Sequence, residues 1–214
     1  EDEFRAFCFD EENPVFEFWN KEHIQALGSY LAVRAQELGA TEERPIRILE
    51  VGAGSGKFNN FLWKELIAKD VKAKLIPTDS MDWNIEPSFP VIKMNAKEAL
   101  GKFAPDIVIS SWMPNGKDWT YDMRQQESVR EYILIGDEEM CGSAIETWGR
   151  PNYDLPDKER EEEIKRVESE PSPWEKDGFS MKYLREISKF QLCRVDIGPY
   201  EDIPHSSTHS FRRN

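Results

Sequence analysis

Three glycines at alternate positions, Gly52, Gly54 and Gly56, follow directly on a short apolar run from Ile46 to Val51. The run has the length and branched side chains of a buried strand. Glycine at its end permits left-handed backbone and lets a ligand lie against the main chain. Beyond the glycines, Phe58, Phe61, Leu62 and Leu66 share one stripe at helical spacing. A strand that turns through glycines into a helix is the opening unit of an open α/β sheet, whose ligands bind outside the carboxyl ends of the strands.

The rest of the chain fits that unit. Ile24, Leu27, Leu31 and Leu38 predict a helix over residues 17–38, with Gly39 as its C-terminal cap. Further strands are expected at 74–78, 91–94, 106–110 and 132–135, alternating with helices at 96–103 and 123–130. Met181, Leu184 and Ile187 predict a helix over 179–190, followed by a sixth strand at 192–197 and a last one at 209–213. The last two, joined without helix signals, should pair antiparallel. The expected fold is α/β, a Rossmann-like three-layer sandwich. Its seven-stranded sheet is mostly parallel with an antiparallel last strand, and an N-terminal helical cap covers it. We expect residues 1–40 to form the cap and 41–214 the main domain. Residues 137–178 are too long for an ordinary connection and read as an insertion. Its charged run, 157–170, is either a solvated helix or a substrate-selecting lid.

Composition narrows the partners. The 214 residues carry a net charge of −13 with a pI near 4.8, which makes nucleic acid a poor partner. No apolar run is long enough to cross a membrane. Cys8, Cys141 and Cys193 are odd in number and widely spaced, which argues against a disulfide framework and a zinc site and for a reducing, cytoplasmic setting. The chain does not begin with Met, so a removed targeting segment stays open. His205 and His209 are four apart, which would form a metal pair on a helix but not in extended chain, so no metal is expected.

The glycine cluster separates three chemistries. A P-loop needs glycine five residues before Gly56 and a hydroxyl after Lys57; Val51 and Phe58 stand there. A dinucleotide loop places its third glycine where Lys57 lies. Glu50, Gly52, Gly54 and Gly56 spell E-x-G-x-G-x-G, which resembles motif I of the class I methyltransferases that use S-adenosylmethionine (SAM). The resemblance extends over about residues 45–213. It implies SAM as cofactor, with Glu50 suited to the ligand's ammonium group. Asp79, followed by Ser80, stands at the end of the second strand where the family binds the ribose hydroxyls, 23 residues after Gly56. Asn95 and Ala96 occupy the adenine position; Asn95 serves equally well as a helix cap. Ser110 and the following Ser111-Trp112-Met113-Pro114 lie where the family holds the transferred methyl. They match the amino-methylating pattern only loosely, because its two prolines are missing.

The expected reaction is direct displacement at the methyl carbon, in which the protein mainly holds two reactants in line. His23, Trp112 and Glu138 are the candidate catalytic residues: a base from the cap, a pocket wall and an acid from the loop after the fifth strand. A small-molecule acceptor, enclosed by the N-terminal segment, Trp112 and the insertion, is the first expectation. Methylation of a protein and a catalytically silent scaffold subunit are the alternatives. Oligomeric state is not legible.

Overall fold

The computed structural model describes residues 2–10, 13–196 and 205–214. In chain order the elements are α1 (Asp2–Cys8), α2 (Lys21–Glu37), β1 (Ile46–Val51), α3 (Lys57–Ala68), β2 (Ala73–Asp79), β3 (Ile92–Lys93), α4 (Ala96–Phe103) and β4 (Ile107–Ser111). There follow α5 (Thr120–Gln125), β5 (Glu131–Asp137), α6 (Asp157–Ser169), α7 (Pro173–Lys176), β6 (Phe179–Tyr183), α8 (Arg185–Ser188) and β7 (Ser206–Arg213).

The seven strands form one sheet in the order β3-β2-β1-β4-β5-β7-β6. β3, β2, β1, β4 and β5 are parallel neighbours, and β7 runs antiparallel to both β5 and β6. This is the Rossmann-like sheet with a reversed last strand that the sequence predicts.

Alternation along the central strands builds two cores. Ile46 and Ile48 of β1, Ile107 and Ile109 of β4 and Ile133 and Ile135 of β5 pack against Leu27 and Leu31 of α2 and Leu62 and Leu66 of α3. The intervening Leu49, Val51, Val108, Tyr132 and Leu134 pack on the other face with Ala99, Leu100, Met123 and Phe211. A strand buried on both faces is apolar at nearly every position, which is why these runs stand out in the sequence. Within β1 the exceptions are Arg47, near its start and only part-buried, and Glu50, buried near the sheet's carboxyl edge.

Three expectations are corrected. Residues 179–183 form a strand, not the start of a helix; only α8 is helical there. Phe-Ser-Met-Lys-Tyr alternates with period two, and Met181 is 44% exposed, so the spacing of three to Leu184 marks no buried stripe. β6 therefore takes the place given to residues 192–197 as partner of the last strand. Of that segment, Cys193 makes only an isolated bridge to Glu17, while Ile197 lies outside the described residues, as do 198–204 of the connection that follows. Helix α2 starts at Lys21 rather than at residue 17, because the Asn20 side chain accepts the His23 N–H and caps it there. Residues 16–18 are instead extended: Phe18 N–H donates to Leu192 O at 2.8 Å, and Arg194 N–H to Phe16 O at 3.0 Å.

The 137–178 segment holds the exposed helix α6, none of whose residues is buried, and the short α7, whose Trp174 packs on Phe211. Among the described residues, no helix is long and apolar enough to cross a membrane, and no cluster of His, Cys, Asp and Glu is arranged to hold a metal.

Candidate active site

A cavity of about 580 Å³ opens at the carboxyl edge of the parallel strands. Its walls come from the extended N-terminal segment, the β1–α3 glycine bend, the loops after β2 and β3, and the loop after β4. This is the expected place for a ligand in an open α/β sheet.

The glycine bend forms its floor. Gly52 and Gly54 have φ of 74° and 50°, values that side chains rarely adopt. A Cβ on Gly52 would meet the Trp119 ring at 3.0 Å. A Cβ on Gly54 would meet nothing closer than Ile85 at 3.8 Å, so the space beside Gly54 belongs to the cavity. Gly56 has φ 74° as well, but a Cβ there would press on Val91 and Phe89. Gly56 thus packs the bend against the 89–91 loop and does not itself line the cavity.

Asp79 ties the second strand to the bend. Its carboxylate accepts the Gly54 N–H at 2.9 Å and the Met81 N–H at 2.6 Å, one on each oxygen. A carboxylate has about four acceptor sites, so two remain for hydroxyls in the cavity. Ser80, Asp82 and Ile85 continue the same wall. On the far side of β2, Met94, Asn95 and Ala96 line the cavity. The Asn95 carbonyl oxygen caps α4 by accepting the Glu98 N–H at 3.0 Å, so the helix-cap role is realised.

Glu50 is buried beneath the bend, and its Oε2 has no hydrogen-bond partner. Burial pushes its carboxyl up to about 8; the neighbouring Asn59 amide pulls the other way, and the charge of Asp79 adds to the rise. Glu50 lines the cavity, and a buried carboxyl oxygen without a partner is rare in folded proteins.

The opposite end is aromatic. Phe16 lies 6.0 Å from Trp83 and 5.8 Å from Trp112, measured between ring centres. Trp112, just beyond β4, has φ of 53°, a strained value for a large side chain. Its indole N–H donates to Glu17 Oε2 at 2.9 Å, and the Ser206 hydroxyl donates to the same oxygen at 2.6 Å. Gln191 Nε2 reaches Oε1 at 3.3 Å. Burial pushes Glu17 up to about 7, against the pull of these three donors.

The cavity therefore brings together Glu50, Gly52, Gly54, Asp79, Ser80, Asn95, Ala96 and Trp112. It does not bring in His23, Glu138, Ser110 or Gly56. His23 is fully buried behind Trp19, with which it stacks at 5.6 Å, and burial holds its imidazole down at about 4. It has no access to a substrate proton. Glu138 turns away to Arg150 and His209, each at 3.1 Å. Ser110 is buried within β4 and does not line the cavity; Ser111 lines it in its place. No residue of 137–178 lines the cavity, so the insertion does not enclose it.

Glu17, Phe16, Trp83 and Trp119 are the residues that sequence reasoning did not single out. The aromatic, acidic character of residues 1–16 is the available signal, but helical spacing read from residue 17 onward hides the extended segment.

No protein-family model matches the chain, and no curated protein sequence matches it. Among solved structures it is similar to the CurJ carbon methyltransferase, at 15% identity over 88% of this chain and 53% of that one, with a TM-score of 0.45. It is also similar to the plantazolicin methyltransferase BpumL in complex with a triazolic desmethylPZN analog and SAH, at 12% identity over 91% and 86%, TM-score 0.46. A third is the SAH-bound Podospora anserina methyltransferase PaMTH1, at 12% identity over 100% and 94%, TM-score 0.38. The chain spans about half the length of the CurJ protein.

Proposed function

We propose that the protein transfers a methyl group from SAM to a small-molecule acceptor. The observation that carries this reading is the pairing of two carboxyl groups around a left-handed glycine bend in one cavity: Glu50, with its idle Oε2, and Asp79, held by Gly54 and Met81.

The residues present suit the donor. Asp79 has acceptor sites left for the two ribose hydroxyls. Glu50 offers its unpartnered oxygen to the amino-acid ammonium, and Gly54 leaves room for the ligand to lie against the backbone. Met94 and Ala96 give an apolar slot for a flat base. When bound, SAM supplies an already activated methyl carbon, so the chain's own task is positioning and exclusion of water. Trp112 and Phe16 form a dry wall for the acceptor, and Glu17 is the acid group nearest that wall. A cavity of about 580 Å³ is in the range of small-molecule sites, which favours a small acceptor over a protein surface.

Calorimetry with SAM, S-adenosylhomocysteine and NAD tests the reading. Both sulfur compounds should bind and NAD should not. Tritium from labelled SAM should then appear in a small-molecule fraction of a metabolite extract. A folded protein that binds neither sulfur compound refutes the proposal.

A further inference from the structure

Two glutamates of the interior are held by several neighbours each, but only one has a cationic partner. Glu131, fully buried, is met by the Arg34 guanidinium, Tyr30 and Ser210. Glu17 is 3% exposed and, among the described residues, forms no ion pair with Lys or Arg. The Arg194 guanidinium, one residue beyond the Glu17–Cys193 bridge, is stacked on Phe9 at 3.6 Å and on Phe16 at 4.4 Å. The charge that acts on Glu17 is that of another acid, Asp196. A buried carboxylate is normally paired. Here its surroundings are three neutral donors and the cavity.

The cavity beside it suits a cation. Phe16, Trp83 and Trp112 line the same end, with the Phe16 ring tilted 44° to each of the two indoles. Aromatic faces attract ammonium groups, most strongly where water is excluded. Acids outnumber bases along the lining: Glu17, Glu50, Asp79 and Asp82 against Lys57 and Lys117. Trp112 is held in its strained backbone conformation with its indole on Glu17, which fixes the carboxylate next to the position after β4.

We infer that the recess formed by Phe16, Trp83, Trp112 and Glu17 is the methyl-acceptor site and that it takes a small organic amine. This rests on the methyl-transfer reading above. Glu17 receives the amine nitrogen by a charge-assisted hydrogen bond, and the rings surround the carbon next to it. The bound ammonium first gives one proton to the Glu17 carboxylate, which frees the nitrogen lone pair. That pair forms the new N–C bond while the methyl–sulfur bond breaks, its electron pair staying on sulfur, and the product leaves as the N-methylammonium ion.

The test compares amines with their hydroxyl counterparts: benzylamine with benzyl alcohol, phenethylamine with 2-phenylethanol, tryptamine with tryptophol. Affinities are read by calorimetry at pH 7.5, on protein alone and on protein saturated with S-adenosylhomocysteine. At least one amine should bind about tenfold more tightly than its alcohol, equivalent to about 1.4 kcal/mol. Glu17→Gln should bring the pair to within about twofold, while affinity for S-adenosylhomocysteine stays unchanged. Trp83→Ala, at a site 57% exposed and therefore safe for folding, should cut the amine preference severalfold. No preference in any of the three pairs, or a preference that survives Glu17→Gln, overturns the inference. If S-adenosylhomocysteine binds and the amines show no preference, this inference alone fails. If S-adenosylhomocysteine does not bind, the donor reading fails and the acceptor assignment with it, and the amine comparison on the free protein decides only whether the recess takes an amine.

Discussion

The Trp112 indole N–H donates to the Glu17 carboxylate at 2.9 Å, across 95 positions of chain. This bond joins the loop after β4 to the extended N-terminal segment and so closes one end of the cavity. Trp112 also donates its backbone N–H to Ile135 O at 2.8 Å, which helps hold a φ of 53° that costs on the order of 1–3 kcal/mol. Trp112→Phe keeps a ring but removes the donor to a buried acid. We expect a loss of about 1.5–3 kcal/mol in urea unfolding. An unchanged midpoint would show that the bond does not hold the segment.

Gly54→Val should abolish binding of S-adenosylhomocysteine while costing only the backbone strain, on the order of 1–3 kcal/mol, in stability. The φ of 50° strains any side chain there, and the added carbons enter space bounded only by Ile85. Gly56→Val should act differently. It would press on Phe89 and Val91 and lower the melting temperature first. Calorimetry and thermal melts together separate a filled site from a broken turn.

Asp79→Ala removes the acceptor for two backbone N–H groups as well as the ribose contacts, so both stability and affinity should fall. Asp79→Asn retains one acceptor oxygen. It should recover much of the stability but not the affinity, because the charge-assisted bonds are gone. Equal effects of the two substitutions on binding and on urea midpoint would argue against a ligand role.

How much of this was legible follows from where the signals lie. β1, β4 and β5 are buried on both faces, so their apolar runs are continuous, and the glycines after β1 sit next to one of them. That fixed the floor of the site: Glu50, Gly52, Gly54 and Asp79. The acceptor end is different. Glu17 becomes part of a site only because residues 16–18 pair with 192–194 and Ser206 arrives on β7. Such long-range pairing leaves no periodic trace. His23 misled for the opposite reason: it lies on the apolar stripe of α2, and the same burial that draws notice keeps it from solvent. Edge strand β6, with one buried residue, had too weak an apolar signal to outweigh a coincidental spacing of three.

The network around Glu131 gives a test of the structural core away from the site. Arg34 Nε meets Glu131 Oε2 at 2.5 Å, and Ser210 Oγ donates to its other oxygen at 2.6 Å. Arg34→Met leaves the fully buried Glu131 carboxylate only the more distant Arg212 guanidinium, at 3.8 Å, and should cost about 3 kcal/mol in urea unfolding. Adding Glu131→Gln should restore part of that loss, since the poorly compensated charge is then removed. Affinity for S-adenosylhomocysteine should be unchanged throughout, because neither residue lines the cavity.

The pH dependence has a definite sign. Glu17 and Glu50 are pushed up to about 7 and about 8 from an ordinary 4.5, so the folded protein keeps protons that the unfolded chain releases. Their contribution is fully present below about pH 4.5 and is lost as pH rises through 7 and 8. His23 and His209 are held down at about 4, so their contribution is present above 6.5 and lost as pH falls through 4. Below pH 6.5 the two pairs oppose each other; above it only the glutamates titrate between the states. Stability should therefore fall from pH 6.5 to 8.5, and Glu50→Gln should flatten the upper part of that slope. The same carboxyl group links pH to the ligand. It is protonated at pH 7 in the free protein, and an ammonium placed against its idle oxygen favours the charged form. Binding of S-adenosylhomocysteine at pH 7 should release about one proton, read as a difference in calorimetric heat between phosphate and Tris buffers. The difference should vanish in Glu50→Gln; equal heats in wild-type protein would place the ammonium elsewhere.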